Sequence, residues 1–572
     1  MRDVRTEPIS SGSRLYAGWA WLDRAATARA ACWLAPFLCG LVSMALGQDV
    51  NWDLSNYHLY NAYALLNGRI GFDLAPAQFQ SYFNPTLDLL YYGLIHALPP
   101  QGAAFVMGLL HGFNFVLLLA LARRLLPQTA SGGYRLPLLL ALAGCLGTAF
   151  LSQLGNTMGD DMTSLCVLGA LLWLLRQWPQ LAQGRARGLL IALGAGVVMG
   201  LGTGLKLTNA NYALALCLAL LTLPAGLWLR LRTAFVFGVG VLAGIAAAAG
   251  YWYWTMWSVF GNPLFPQFNN IFKAPLAAPI GVADTGWLPQ GWLEAVLWPF
   301  IFTLNPRRVI ELPMTQIIWP LLYVAFIALA LRAGLGRFAG AGRKPDARAP
   351  LAPGGQAVLV FFALSYLMWL KLFAIYRYLV PLELLAPLVF WLLLQRLARP
   401  SLARPLGAGA LLLSAVVVFP MATWGHAHYG ASAFKVEAPR FSAPEKTTVL
   451  TVFGDPPLGW MVPYFPRELA FVSLGSGFPE SSAYGERVLA MLDQRGGQVY
   501  MMVSAYGLEP GQHVDSVPPT KVDADNSRLL VMGQDVLRRY GLQLQGGGCR
   551  TYSAYAGDQH RPYQLCVVRR RG

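Results

Sequence analysis

Residues 48–85 read QDVNWDLSNYHLYNAYALLNGRIGFDLAPAQFQSYFNP. This polar, aromatic stretch follows directly on an apolar run at about 26–46 that is long enough to cross a bilayer of about 30 Å. Asp49, Asp53, Asp73, His58 and several Asn are therefore set at a membrane surface. An enzyme that handles a lipid-linked substrate needs its carboxylates in that position.

The composition agrees with a membrane protein. Hydrophobic residues make up 56% of the 572 and charged residues only 12%, and the mean hydropathy is +0.46, far from the charged quarter of a soluble domain. Arg2, Arg5, Arg14, Arg24 and Arg29 precede or enter the first apolar run, and no small-residue cleavage site follows it, so an uncleaved, cytoplasmic segment 1–25 is expected. The net charge of +16 does not point to nucleic acid. Most Arg and Lys fall in short loops at alternate ends of apolar runs, the pattern of the positive-inside rule, with a contribution from anionic membrane lipid.

Apolar runs predict about eleven spans within a transmembrane region 26–424. They lie at about 26–46, 103–122, 136–154, 162–175, 188–205, 212–229, 235–257, 317–331 and 357–374, then in a tenth that ends at Arg396 and Arg399, and at 406–424. The first outer loop covers 47–102. Within it PTLDLLYYGLIHALPP has an apolar run of only about 13 residues, too short to cross, and reads as a helix lying at the interface. A second outer loop covers 258–316. Its run GWLEAVLWPFIFTL is taken as interfacial or re-entrant, because a crossing there would put the Arg-rich linker 332–348 outside.

Beyond about residue 425 the pattern changes. Short β-rich runs (TVLTVFG, LAFVSLG, QVYMMVSA) alternate with helical patterns (SAYGERVLAMLDQ, SRLLVMGQDVLRRYGL), the order of a soluble α/β domain. The topology puts this domain, 425–572, on the outer, periplasmic face of a bacterial inner membrane. Cys549 and Cys566 flank an expected strand pair there and are candidates for a disulfide in an oxidising compartment.

Two constellations can carry chemistry. In the first, WDLSNYHLYNAYALLNGR reads as a helix with Asp53 at its N-cap and Asn56, Tyr57, Tyr60 and Asn61 along it, His58 among them. An Asp before a helix is more often a cap than a catalyst, and Asp49 is a rival carboxylate. The second is Asn156, Asp160 and Asp161 in NTMGDDM. Paired carboxylates at a span end call for a metal or an ammonium partner, or else simply favour a solvated helix N-terminus. Lys206 and Arg377 emerge on the same side, against the positive-inside trend, which suggests an anionic ligand such as a lipid phosphate. GxGxxG, P-loop, HExxH and CxxC patterns are absent, so nucleotide and zinc chemistry find no support.

Taken in order over roughly 25–385, these features resemble the polytopic GT-C glycosyltransferases, among them bacterial aminoarabinose transferases and protein mannosyltransferases. The likeness rests on Asp53, Tyr57 and LLNGR in the first outer loop, on NPTLDLLYYGL, and on a span ending in ALARRLLP. It continues through DDMTSL, GLGTGLKLTN, WSVFGNPLFP and RYLVP. Where that family commonly has an Asp-Glu pair, this chain has Asp53-Leu54 with Asp49 nearby, which leaves two candidates for the base.

The resemblance implies inverting transfer of a sugar from a polyprenyl-phosphate donor to a lipid, glycan or protein acceptor. Asp53 would be the general base with Asp49 in reserve, and Asn56, Tyr57, His58 and Tyr60 would line the substrate. Asp160 or Asp161, with Asn156, would position the acceptor or a divalent cation (Mg or Mn), and Lys206 and Arg377 would neutralise the donor phosphate. A transporter or flippase of a lipid-linked sugar would show polar mid-span positions and two related halves, neither of which is seen. A surface-polysaccharide ligase or polymerase would depend on outer-loop Arg and His rather than on Asp53.

Overall fold

The computed structural model describes residues 19–126, 133–282, 284–338, 351–452, 455–475, 477–505 and 519–571. Most of the basic N-terminal segment and the centre of the Arg-rich linker lie outside them. Among the described residues six helices are long and apolar enough to cross a membrane, rather than eleven: α1 (Ala25–Leu46), α2 (Pro100–Leu125), α3 (Ala186–Leu205), α4 (Leu227–Phe260), α5 (Gly355–Leu372) and α6 (Tyr376–Leu397).

The remaining expected spans are shorter helices, and local chemistry accounts for the breaks. The 136–154 run is divided into Arg135–Cys145 and Thr148–Ser152. At Gly147, between them, an added Cβ would lie 2.5 Å from Oε2 of Glu383. That carboxylate accepts the Ala149 N–H at 2.6 Å and so serves the second helix start. The 212–229 run ends its α-helix at Ala219 and finishes in a 3-10 turn, Leu220–Thr222, just before Pro224. Asp160–Arg176 and Pro400–Val416 have 17 residues each. The run after Pro85 forms only the ten-residue helix Asp88–Ala97, and that from Gly291 the 13-residue helix Trp292–Leu304.

α3 and α4 pack backbone against backbone. Gly196 and Gly200 of α3 face Gly240 and Gly244 of α4, and a Cβ on Gly244 would meet the Val197 carbonyl at 2.2 Å. This is the small-residue spacing that lets apolar helices approach where no hydrophobic drive separates helix from lipid. At 34 residues α4 is about 50 Å long, so its aromatic C-terminal end leaves the bundle. There Trp252 donates its indole N–H to the Tyr82 carbonyl at 2.9 Å. Tyr82, Phe260, Phe265 and Phe478 close around it in one apolar cluster.

The C-terminal domain is strand-containing, as its alternating pattern predicts. A five-stranded sheet is built from β1 (Thr448–Val452), β2 (Ala470–Leu474), β3 (Val499–Ser504), β4 (Leu542–Tyr552) and β5 (Tyr563–Arg570). Its order is β2-β1-β3-β5-β4, parallel across the first three and antiparallel across the last two pairings. Helices Ser482–Arg495 and Pro519–Arg539 accompany it. Cys549 and Cys566 stand directly opposite each other on β4 and β5 and form a disulfide.

The division at residue 425 does not hold as a boundary between cores. Gln48 and Asp49 pair antiparallel with His426 and Ala427. Leu74 joins the open edge of β2, donating to Phe471 O at 2.9 Å and accepting from Ser473 N at 2.8 Å. Val50, Leu54, Leu59, Tyr60 and Tyr63 share one apolar cluster with Phe434, Trp460, Phe471 and Tyr563. An unpaired sheet edge and the apolar face of a short loop helix each need cover, and each supplies it to the other.

Candidate functional site

Asp53 is not the helix cap that its position predicts. It has helical dihedrals (φ −63°, ψ −41°) and its side chain makes no capping bond. Asn51 does that work: its Oδ1 accepts from Leu54 N at 2.8 Å and its carbonyl from Ser55 N at 3.1 Å. Asp49 in turn is consumed by structure. Its two oxygens accept from Asn51 N and Nδ2, and from the N–H and hydroxyl of Thr157, all between 2.7 and 3.0 Å. Asp49 therefore ties the first loop to the 153–161 turn, which leaves Asp53 as the carboxylate free for other work.

The helix that carries Asp53 widens into a π turn over Leu54–His58 before continuing as Leu59–Leu66. The i to i+5 repeat of a π turn brings residue 58 round to the face of residue 53, a distortion common at functional sites. His58 is buried, and its Nδ1 lies 2.6 Å from Asp88 Oδ1 on the short helix Asp88–Ala97. Its Nε2 is buried without a partner. The Tyr57 ring lies against the imidazole at 4.1 Å.

Four chain segments converge beside this face. The Arg377 guanidinium, at the start of α6, hydrogen-bonds Asp53 Oδ2. Lys206, which follows α3, holds Asp160 Oδ1 at 2.7 Å and the Met158 carbonyl at 2.6 Å. The Tyr378 ring separates the two cations, 5.1 Å from the guanidinium and 5.4 Å from the ammonium, and Trp424 covers Arg377 at 5.9 Å. Burial alone would raise the Asp53 carboxyl, but Arg377, His58 and Lys206 together hold it below the usual carboxylate range. Asp88 goes the other way, pushed up by burial despite its imidazole partner.

Asp53, Lys206, Arg377 and Asp160 are thus brought together, with Tyr57 and His58 beside them. Asp161 is not part of this group. It points into the bundle, where its Oδ2 lies 3.4 Å from His111 Nδ1, both side chains being fully buried. Asn156 caps its own turn, its Oδ1 accepting from Met158 N at 3.0 Å. The widened helix also splits the expected lining. Asn56 is buried with its carbonyl against Gly459. Tyr60 donates to Asp73 Oδ2 at 3.1 Å within an Arg69–Asp73 pair that anchors the loop to Leu469 O and Phe471 N.

A divalent-cation site at the aspartate pair does not fit these residues. The two carboxylates diverge to Lys206 and to His111, and among the described residues no three His, Cys, Asp or Glu side chains gather to hold a metal. Sequence reasoning missed Asp88, Tyr378 and Arg561. Only Asp88, a lone carboxylate in an apolar run, carried a signal there. Arg561, from the C-terminal domain, donates to Ser55 Oγ in the π turn at 2.9 Å and to Val50 O at 3.2 Å. Beside His58 lies a small recess, with room for about one water, lined by Asp88, Tyr91, Tyr92, Thr157 and Met162 among others.

No protein-family model matches the chain, and no curated protein matches it significantly. The geometry and the ordered motifs therefore carry the functional reading by themselves.

Proposed function

We propose that the chain is an inverting glycosyltransferase of the GT-C type, moving a sugar from a polyprenyl-phosphate donor to a lipid, glycan or protein acceptor. The observation that carries this reading is Asp53: a buried, ionised carboxylate at one end of an apolar helical bundle, with one oxygen on Arg377 and the other unbonded. In the scheme the acceptor oxygen attacks the anomeric carbon from the face opposite the phosphate, while Asp53 takes its proton. The carbon–oxygen bond to phosphate breaks, and polyprenyl phosphate leaves with the electron pair onto Lys206 and Arg377. At rest these cations are held by Asp160 and Asp53. A bound phosphate would compete for both, free Asp53 and make it more basic as the donor arrives.

In this reading the site faces the periplasm of a bacterial inner membrane. The Cys549–Cys566 disulfide suits an oxidising compartment.

The test is incubation of purified protein with a panel of polyprenyl-phosphate sugars, reading release of polyprenyl phosphate with and without EDTA. Wild type is expected to release it and Asp53→Asn to abolish release while inserting and folding normally. No release from any donor would favour a transporter of lipid-linked sugar. The nearness of Arg377 and His58 supports a second reading, a surface-polysaccharide ligase or polymerase; turnover that survives Asp53→Asn but not Arg377→Gln would select it.

A further inference from the structure

The proton that Asp53 removes has to go somewhere. Once polyprenyl phosphate departs, Arg377 returns to Asp53, and a carboxylate paired with a guanidinium is only a brief host for a proton. The next group on the same face of the π turn is His58, whose Nδ1 is fixed by Asp88 at 2.6 Å and whose Nε2 is buried with no partner. A buried ring nitrogen left unbonded is costly unless something visits it. It lines a small recess beside Asp88 and Thr157, with room for a water to reach the ring. With Nδ1–H donating to Asp88, Nε2 is the accepting nitrogen, and the carboxylate stabilises the imidazolium that forms.

Resting on the transferase reading, we infer that His58 and Asp88 form a proton relay for Asp53 beside the π turn. The acceptor hydroxyl gives its proton to Asp53 Oδ1 as its oxygen bonds to the sugar. The proton then passes to His58 Nε2, directly or across one water, and leaves to solvent when the imidazolium deprotonates. No oxidant or further reactant is needed. The charged groups that face the imidazole are Asp53 on its own helix and Asp88 on the helix packed against it; Arg377 and Lys206 lie beyond, on Asp53 and Asp160.

Two measurements on the full-length protein test it. The first, independent of any donor, is the pH dependence of imidazole C2–H exchange at His58, read by mass spectrometry. Asp88→Asn is expected to lower its titration midpoint, and an unchanged midpoint would overturn the dyad. The second is the pH profile of polyprenyl phosphate release from whichever donor in the panel is turned over. His58→Gln is expected to lower kcat by about 100-fold or more and to remove the acid limb, and Asp88→Asn to move that limb to lower pH. Thermal unfolding run in parallel identifies a variant that has merely failed to fold, in which case Asp88→Asn decides. An unchanged limb and kcat in a folded His58→Gln would overturn the relay and leave the transferase standing. No release by wild type would overturn the transferase and the relay with it, while the exchange data would still report the dyad.

Discussion

At Asp53 burial and charge pull in opposite directions, so removing one partner reverses the sense in which its carboxyl shifts on folding. With Arg377 present the folded carboxyl lies below its unfolded value. The pair therefore contributes stability above the unfolded pKa of about 4 and loses it as pH falls further. In Arg377→Gln the burial remains and the main counter-charge is gone, which raises the folded carboxyl above the unfolded value. That variant is expected to be about 3 kcal/mol less stable at neutral pH and to regain part of the loss on acidification, as Asp53 takes up a proton. Thermal unfolding in detergent between pH 3 and 7 measures both proteins, and a stability difference between them that does not shrink on acidification would refute the pairing. None of this was legible from Asp53's position in the sequence, where a capping Asp and a catalytic one look alike. The distinction lies in Asn51, two residues earlier, which supplies the cap and frees Asp53.

Among the elements, apolar length and glycine spacing were the readable signals, and helix breaks were not. α1, α2, α3 and α6 fall close to the runs that predict them, as do the strands TVLTV and AFVSL. The fractured run 136–154 does not, because its break depends on Glu383, more than two hundred residues away. The π turn is likewise invisible to a 3.6-residue period, so the sequence pattern alone does not separate Asn56 and Tyr60, which the structure turns away, from Tyr57 and His58. Where the glycines are legible they make a sharp prediction. Gly244→Leu drives a side chain into the Val197 carbonyl and is expected to cost about 1–3 kcal/mol or to block folding. Gly238→Leu on the same helix meets nothing within 4 Å and is expected to be tolerated. The unfolding midpoints of the two variants check it, and equal losses would mean that α3 and α4 do not pack as described.

For the molecule as a whole, the C-terminal domain holds the loop that carries the candidate site and is not an appendage. Sequence alone could mark where its composition changes, but not that the first loop would complete its sheet and core, since both contacts join residues about four hundred positions apart. Arg561 is where this union acts on the chemistry. Burial pushes its guanidinium down to about 10, against a usual value above 12, with Asp49 opposing. A group desolvated to that degree is retained only where its bonds repay it: Ser55 Oγ, Val50 O and Gln559 Oε1, the last at 2.8 Å. Two of these three fix the start of the π turn that aligns Asp53 with His58. Arg561→Ala is expected to lower the stability of the fold by about 2 kcal/mol and to cut kcat by about 10- to 100-fold, the scale set by a misplacement near 1 Å. Arg561→Lys keeps the charge but not the fork that reaches both Ser55 and Val50, so it should recover stability more than turnover. If both variants turned over polyprenyl-phosphate sugar like wild type, the domain would only cover the loop and would not position it.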